Sequence, residues 1–141
     1  MRNTPPFRAD HVGSLLRPTA VKNARAKHEA GEIDSKALRA VEDQEIVAVI
    51  AKQEQVGLKG VTDGEFRRSW WHFDFFGGLD GVELVQVDQG IQFAGIQTKA
   101  EGIVVTGKLG FSNHPMLDHF RFLADNSNAI PKMTIPSPSV L

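Results

Sequence analysis

The sequence predicts an α/β fold, specifically a partial TIM-type (β/α)8 barrel: about the first three βα units, interrupted by a β-hairpin insertion. Three observations lead there. Short apolar segments and helical patterns alternate in the order strand, helices, strand, insertion, helix, strand, which predicts parallel βα units. A long helical repeat runs directly into a short buried strand. Two polar loops then follow predicted strands at the point where parallel sheets place their sites. A finished barrel needs about 250 residues, and the chain has 141. Residues 1–141 are therefore read as the N-terminal portion of one barrel domain, with an open strand edge that favours self-association or a complementary C-terminal fragment.

Phe7 to Ser14 reads as a brief strand running into a loop. Pro18 suits the start of a helix, and Thr19 to Ala30 is rich in Ala, Lys and Arg before Gly31 stops it. Asp34 and Ser35 are capping types, and Leu38, Val41, Ile46, Val49, Ile50 and Val56 recur at helical spacing until Gly57. Leu58 to Thr62 reads as a buried strand entering the polar loop Asp63-Gly64-Glu65. Phe66 to Phe76 is dense in aromatics. Val82 to Val87, Ile91 to Ala94 and Gly102 to Leu109 cluster like strands around Asp88-Gln89-Gly90, the hairpin insertion. Pro115 to Ala124 suggests a short helix, and Lys132 to Ile135 a last strand before Pro136-Ser137-Pro138.

Composition narrows the function classes. Sixteen Lys and Arg against 17 Asp and Glu leave a net charge of −1, so no basic field draws the chain to nucleic acid or anionic lipid. Cysteine is absent, which excludes a Cys nucleophile and any thiolate metal ligand from this chain. No run approaches the roughly 18 apolar residues of a membrane span and the start lacks an apolar signal core, so a cytoplasmic protein is expected.

The chemistry-bearing residues fall in the two loops. In His11-Val12-Gly13-Ser14, Gly13 lets backbone approach a ligand closely, and Ser14 offers a hydroxyl and an N–H to an anion such as a carboxylate. In the second loop Glu65 is suited to accept hydrogen bonds from an ammonium group. Together these residues fit the head group of an amino acid, although a Gly-Ser pair by itself is as common as any turn. Arg67 and Arg68 read as exposed surface charges, with pairing to Asp63 or to an acidic ligand tail as the other readings. Trp70, Trp71, His72, Phe73, Phe75 and Phe76 read as core or interface, with a pocket for a flat ring as the alternative. His28, His114 and His119 have no metal-like spacing.

Val12-Gly13-Ser14, then Gly57-Leu58, Thr62-Asp63-Gly64-Glu65 with Arg67, and Phe75-Phe76 together resemble the start of the catalytic barrel of cobalamin-independent methionine synthase. Asp10-His11-Val12-Gly13-Ser14 with Arg17-Pro18 is similar to the opening of its shorter, single-barrel relatives. The resemblance extends more weakly through Gly102 to Gly107 and on to Met133-Thr134-Ile135-Pro136-Ser137-Pro138.

The resemblance implies a zinc-dependent methyltransferase, free of cobalamin, that moves a methyl group from 5-methyltetrahydrofolate to the thiol of homocysteine. It implies that Ser14 contacts the homocysteine carboxylate and Glu65 its amino group, with Gly13 and His11 beside them. The zinc ligands of the family lie on later strands, so the resemblance assigns this chain a substrate half-site with no catalytic residue and no metal ligand. Where the family carries an Arg-Cys pair that meets the folate, this chain has Thr98-Lys99, which puts folate as the donor in question. Two other functions are consistent with the sequence: an alkyltransferase acting on another thiol such as coenzyme M, and a non-catalytic fragment that pairs with a second chain.

Overall fold

The computed structural model describes residues 4–87 and 101–140. It is a mixed α/β structure of two compact units, one comprising Met1–Arg67 with Asp118–Thr134 and the other Arg68–Leu117 with Ile135–Leu141.

In the first unit α1 spans Thr19–Glu29 and α2 spans Ser35–Gln55. Asp34 caps α2 by accepting a 2.8 Å hydrogen bond from the Ala37 N–H, which satisfies one of the donors a helix start leaves free. After the left-handed Gly57 (φ 85°) the chain enters β1, Gly60–Val61. This strand pairs in parallel with β4, Ile130–Pro131. Ile130 N donates to Lys59 O (3.0 Å) and Lys132 N to Val61 O (2.8 Å). Ile46 and Ile50 of α2, Val61 of β1, Phe66 and Leu123 form the buried core of this unit. Leu123 belongs to α4, Met116–Asp125. Of the apolar positions predicted along α2, Ile46 and Ile50 are buried against the strand, Leu38, Val41 and Val49 are half-buried, and Val56 is exposed.

In the second unit, α3 is a single turn, Phe73–Phe76. β2 (Asp80–Gln86) and β3 (Glu101–Gly110) form an antiparallel pair in which Val82 lies opposite Val105 and Leu84 opposite Ile103. A short 3-10 turn covers Pro138–Val140. The antiparallel pairing of β2 with β3 bears out an antiparallel insertion. Ile91 to Ala94, Asp88-Gln89-Gly90 and Thr98-Lys99 lie outside the described residues.

Two predicted strands differ from the structure. Phe7 to Ser14 forms no strand: the carbonyls of His11, Val12 and Gly13 accept from the side chains of Lys132, Thr134 and Thr62 instead of a backbone ladder. The last strand is Ile130–Pro131, not Lys132 to Ile135: β1 is only two residues long, and the backbone pairing ends where Lys132 N donates to Val61 O. The parallel sheet of the described residues therefore has two strands. The aromatic stretch is mostly turn, with the Asp74 carboxylate accepting from the N–H groups of both Ser69 and Trp70 (3.0 Å to Trp70). Its Phe73 and Phe76 are buried, while Trp71 is exposed.

Candidate functional site

The loop after β1 carries an unusual density of buried polar groups. Thr62, Asp63 and Glu65 are all at least 94% buried, with exposures of 1%, 4% and 6%. The backbone turns through two successive left-handed residues, Gly64 (φ 66°) and Glu65 (φ 58°). Glycine adopts that conformation freely, whereas for glutamate it costs about 1–3 kcal/mol and persists only where the surroundings impose it. They do so here. Glu65 N donates to Asp63 Oδ1 (2.9 Å), and Arg17 donates to Glu65 O (3.1 Å). Arg25 donates to Phe66 O (2.7 Å).

Beneath the loop, Arg67 pairs with Asp43 (2.6 Å) and approaches Glu42 (3.6 Å), and its guanidinium lies 4.9 Å from the Phe122 ring centre. Arg25 pairs with the same Glu42 (3.2 Å). Arg67 and Arg68 are consequently not surface charges. The Arg67 side chain is 2% exposed and the Arg68 residue 3%, because the carboxylates on α2 give Arg67 a buried partner.

The structure brings the two sequence-predicted loops together. Thr62 Oγ1 donates to Gly13 O (2.7 Å) and accepts from Gly64 N (3.2 Å), and Leu15 N donates to Gly64 O (3.0 Å). Gly13 is buried, and a Cβ added there would stand 2.5 Å from Thr134 Oγ1 and 3.7 Å from Glu65 Oε1. A side chain at position 13 would press on the Thr134 hydroxyl, and the backbone there, at φ 155°, favours glycine. The Glu65 carboxylate thus lies against the Gly13 backbone, and the exposed Ser14 follows between two pinned neighbours, Gly13 and Leu15. On the other flank Lys132 Nζ binds Asp10 (2.6 Å) and His11 O, and Thr134 Oγ1 binds Val12 O. The Lys132 hydrogen bond, with one from the His11 backbone, holds the Asp10 carboxyl below its ordinary value.

His11 sits at this junction, its Nε2 3.0 Å from Gln53 Oε1. Gln53 is a residue that the sequence reading passes over. It leaves a signal, since it falls on the apolar face of α2 one turn beyond Val49 and Ile50 and is 4% exposed. Lys132 and Thr134 left one too: two residues apart in an extended segment, they project to the same side. Of the remaining histidines, His28 touches Ser35 Oγ (3.1 Å), and His114 stacks on Phe111 at 4.8 Å within the second unit. His72 is packed against Trp71 and Phe73, and burial lowers its pKa, partly countered by Asp74.

Among the described residues no group of three or more His, Asp or Glu is placed to hold a metal ion. No helix there is long and apolar enough to cross a membrane.

No family model matches the chain. It is 57% identical to the uncharacterized Bacillus subtilis protein YxjG over 141 residues, covering 99% of this chain and 37% of that one. It is 58% identical to YxjH of the same organism, covering 96% of this chain and 36% of that one. The chain therefore spans a little over a third of the length of these relatives. A 5-methyltetrahydropteroyltriglutamate–homocysteine methyltransferase of Caulobacter vibrioides is 37% identical over 67 residues, 48% of this chain and 9% of that enzyme.

Among solved structures, a Listeria monocytogenes protein provisionally designated a vitamin-B12-independent methionine synthase superposes with a TM-score of 0.79 at 44% identity. The match covers 96% of this chain and 38% of that one. A B12-independent methionine synthase from Shewanella, solved with selenomethionine, shares the fold alone, with a TM-score of 0.56 at 19% identity over 76% of this chain and 31% of that one. The structure is a mixed α/β one, similar to the methionine-synthase fold of the Listeria protein. The chain is a partial relative of the cobalamin-independent methionine synthase family.

Proposed function

We propose that this chain supplies the amino-acid half of the thiol-substrate site in a cytoplasmic, zinc-dependent methyltransferase of methionine-synthase type, as the opening part of a (β/α)8 barrel. Homocysteine is the proposed acceptor and 5-methyltetrahydrofolate the proposed donor. The observation that carries the reading is Glu65: a buried acidic residue in a left-handed conformation, beside the loop that holds Gly13. A carboxylate held in that way favours an ammonium group, because the charge-assisted hydrogen bond is strong where water is scarce. It disfavours the sulfonate of a substrate such as coenzyme M. Ser14, an exposed residue beside Gly13, is suited to the substrate carboxylate, with His11 proposed beside it.

The described residues do not fit a zinc ion by themselves, and the chain has no cysteine. Its proposed contribution is to bind and orient the amino-acid end, while metal ligands and the methyl donor site are assigned to other strands, in the same protein or in a complementary fragment. Titration calorimetry with L-homocysteine tests this. Glu65→Gln should weaken binding about 30-fold or more, the equivalent of losing one partner of a buried charged pair at roughly 2–5 kcal/mol. Ser14→Ala should weaken it about 2- to 10-fold, since a neutral hydroxyl contributes about 0.5–1.5 kcal/mol. Unchanged affinity in both variants would refute the assignment.

A further inference from the structure

The Gln53 amide makes four hydrogen bonds, and the backbone dictates their sense. Its Nε2 donates to Thr62 O (2.8 Å) and Val49 O (3.1 Å), because a carbonyl can only accept. Its Oε1 accepts from Thr62 N (3.0 Å), because an amide N–H can only donate. The amide orientation is therefore fixed without reference to histidine. The ring nitrogen 3.0 Å from that same Oε1, His11 Nε2, must then be the donor. A neutral imidazole with its proton on Nε2 carries a lone pair on Nδ1. In this structure Nδ1 is shut off from solvent and has no partner among the described residues.

We propose that Gln53 is the positioning residue of the candidate site: it locks His11 in the Nε2–H tautomer and thereby reserves Nδ1 as a hydrogen-bond acceptor for an N–H donor of the ligand. Its place in the structure suits the role. Through Thr62 it braces the residue whose hydroxyl joins the two loops, and through His11 it braces the first loop directly. Gln53 pairs with both the N–H and the C=O of Thr62, as a neighbouring strand would, so it extends the β1 ladder by one rung at the point where the loop departs. The identity of the donor, a substrate ammonium group, rests on the proposed function; the tautomer does not.

Imidazole ¹⁵N NMR of the full chain reads the tautomer directly, with the His11 signals assigned through His11→Gln. The expected result is a protonated, pyrrole-type Nε2 and a pyridine-type Nδ1. Gln53→Glu keeps an oxygen acceptor for His11 and should keep this signature, whereas Gln53→Leu should allow the two tautomers to exchange. If Gln53→Leu fails to fold, the wild type and Gln53→Glu still decide. Saturating L-homocysteine should then move the Nδ1 resonance in the direction of a hydrogen-bonded acceptor.

An Nδ1–H tautomer in the wild type, or a signature unchanged in a folded Gln53→Leu, would overturn the positioning role. L-Homocysteine that binds, by its amide shifts, yet leaves Nδ1 unmoved would overturn the acceptor role. L-Homocysteine that does not bind at all would refute the proposed function, while the tautomer in the free chain would still be read.

Discussion

The two ends of the β1–β4 pair are built differently, although the same two strands and the same helix supply both. At the C-terminal end, Thr62, Asp63 and Glu65 are buried polar groups, the backbone is strained at Glu65, and each of the carbonyls of residues 11–13 is taken by a side chain from another segment. At the N-terminal end, Glu54 accepts from the N–H groups of Asn128 (2.6 Å) and Ala129 (3.1 Å), anchoring the entry to β4 beside an open cleft of about 300 Å³. Among the described residues the backbone there shows no left-handed non-glycine residue, and the polar contacts are exposed or half-buried. Strain and buried polarity are costly and persist only where the surroundings impose them, which is why the proposed site is assigned to the C-terminal end.

Substitutions sharpen the contrast. Phe66 is 1% exposed and joins the second loop to the core of Ile46, Ile50 and Leu123. Phe66→Ala should cost about 3–5 kcal/mol of stability in urea denaturation. A loss below about 1 kcal/mol would show that the loop is not anchored by the core. Thr62→Val removes the hydroxyl that serves both Gly13 O and Gly64 N. It should cost about 1–3 kcal/mol, since the groups it leaves are buried, and should loosen both loops in hydrogen exchange.

Glu65→Gly is expected to leave stability within about 1 kcal/mol of wild type, because relief of the left-handed strain offsets the missing packing of the side chain. It should nevertheless abolish homocysteine binding. A large drop in melting temperature would place Glu65 among the structural residues.

The smallest effect belongs to the other end. Hydrogen bonds from the Asn128 backbone, above all, hold the Glu54 carboxyl below its ordinary value. A carboxylate with a lowered folded pKa contributes stability above its unfolded pKa and loses it as pH falls through the folded value. Glu54→Gln should therefore flatten the acid side of the stability–pH curve and leave ligand affinity untouched. An undiminished acid transition would contradict that role.

Much of this was legible in the sequence, for reasons that particular residues make plain. α2 follows from the Asp34 cap and the apolar spacing that ends at Gly57. The loops could be located because Gly13-Ser14 and Asp63-Gly64-Glu65 interrupt apolar patterns. The antiparallel pairing of β2 and β3 follows from their β-rich segments. The missing first strand and the displaced last one were not legible, since pairing partners 122 residues apart, such as Lys132 with Asp10 and Thr134 with Val12, leave no local pattern. Arg67 read as a surface charge because its partners, Glu42 and Asp43, lie on a helix that only the folded chain brings beneath it. Gln53 was hidden for the same reason: a single polar residue in a helix declares its bonds only once β1 is beside it.

The central claim is that ligand binding belongs to the C-terminal end of the β1–β4 pair. Amide chemical-shift mapping while L-homocysteine is added to the chain tests it most directly. The account predicts shifts concentrated at residues 11–15 and 62–66, with residues 57–59 and 128–130 unmoved, and their loss in Glu65→Gln. Shifts centred on the cleft lined by Glu54, Lys59 and Asn128, with the two loops silent, would contradict it.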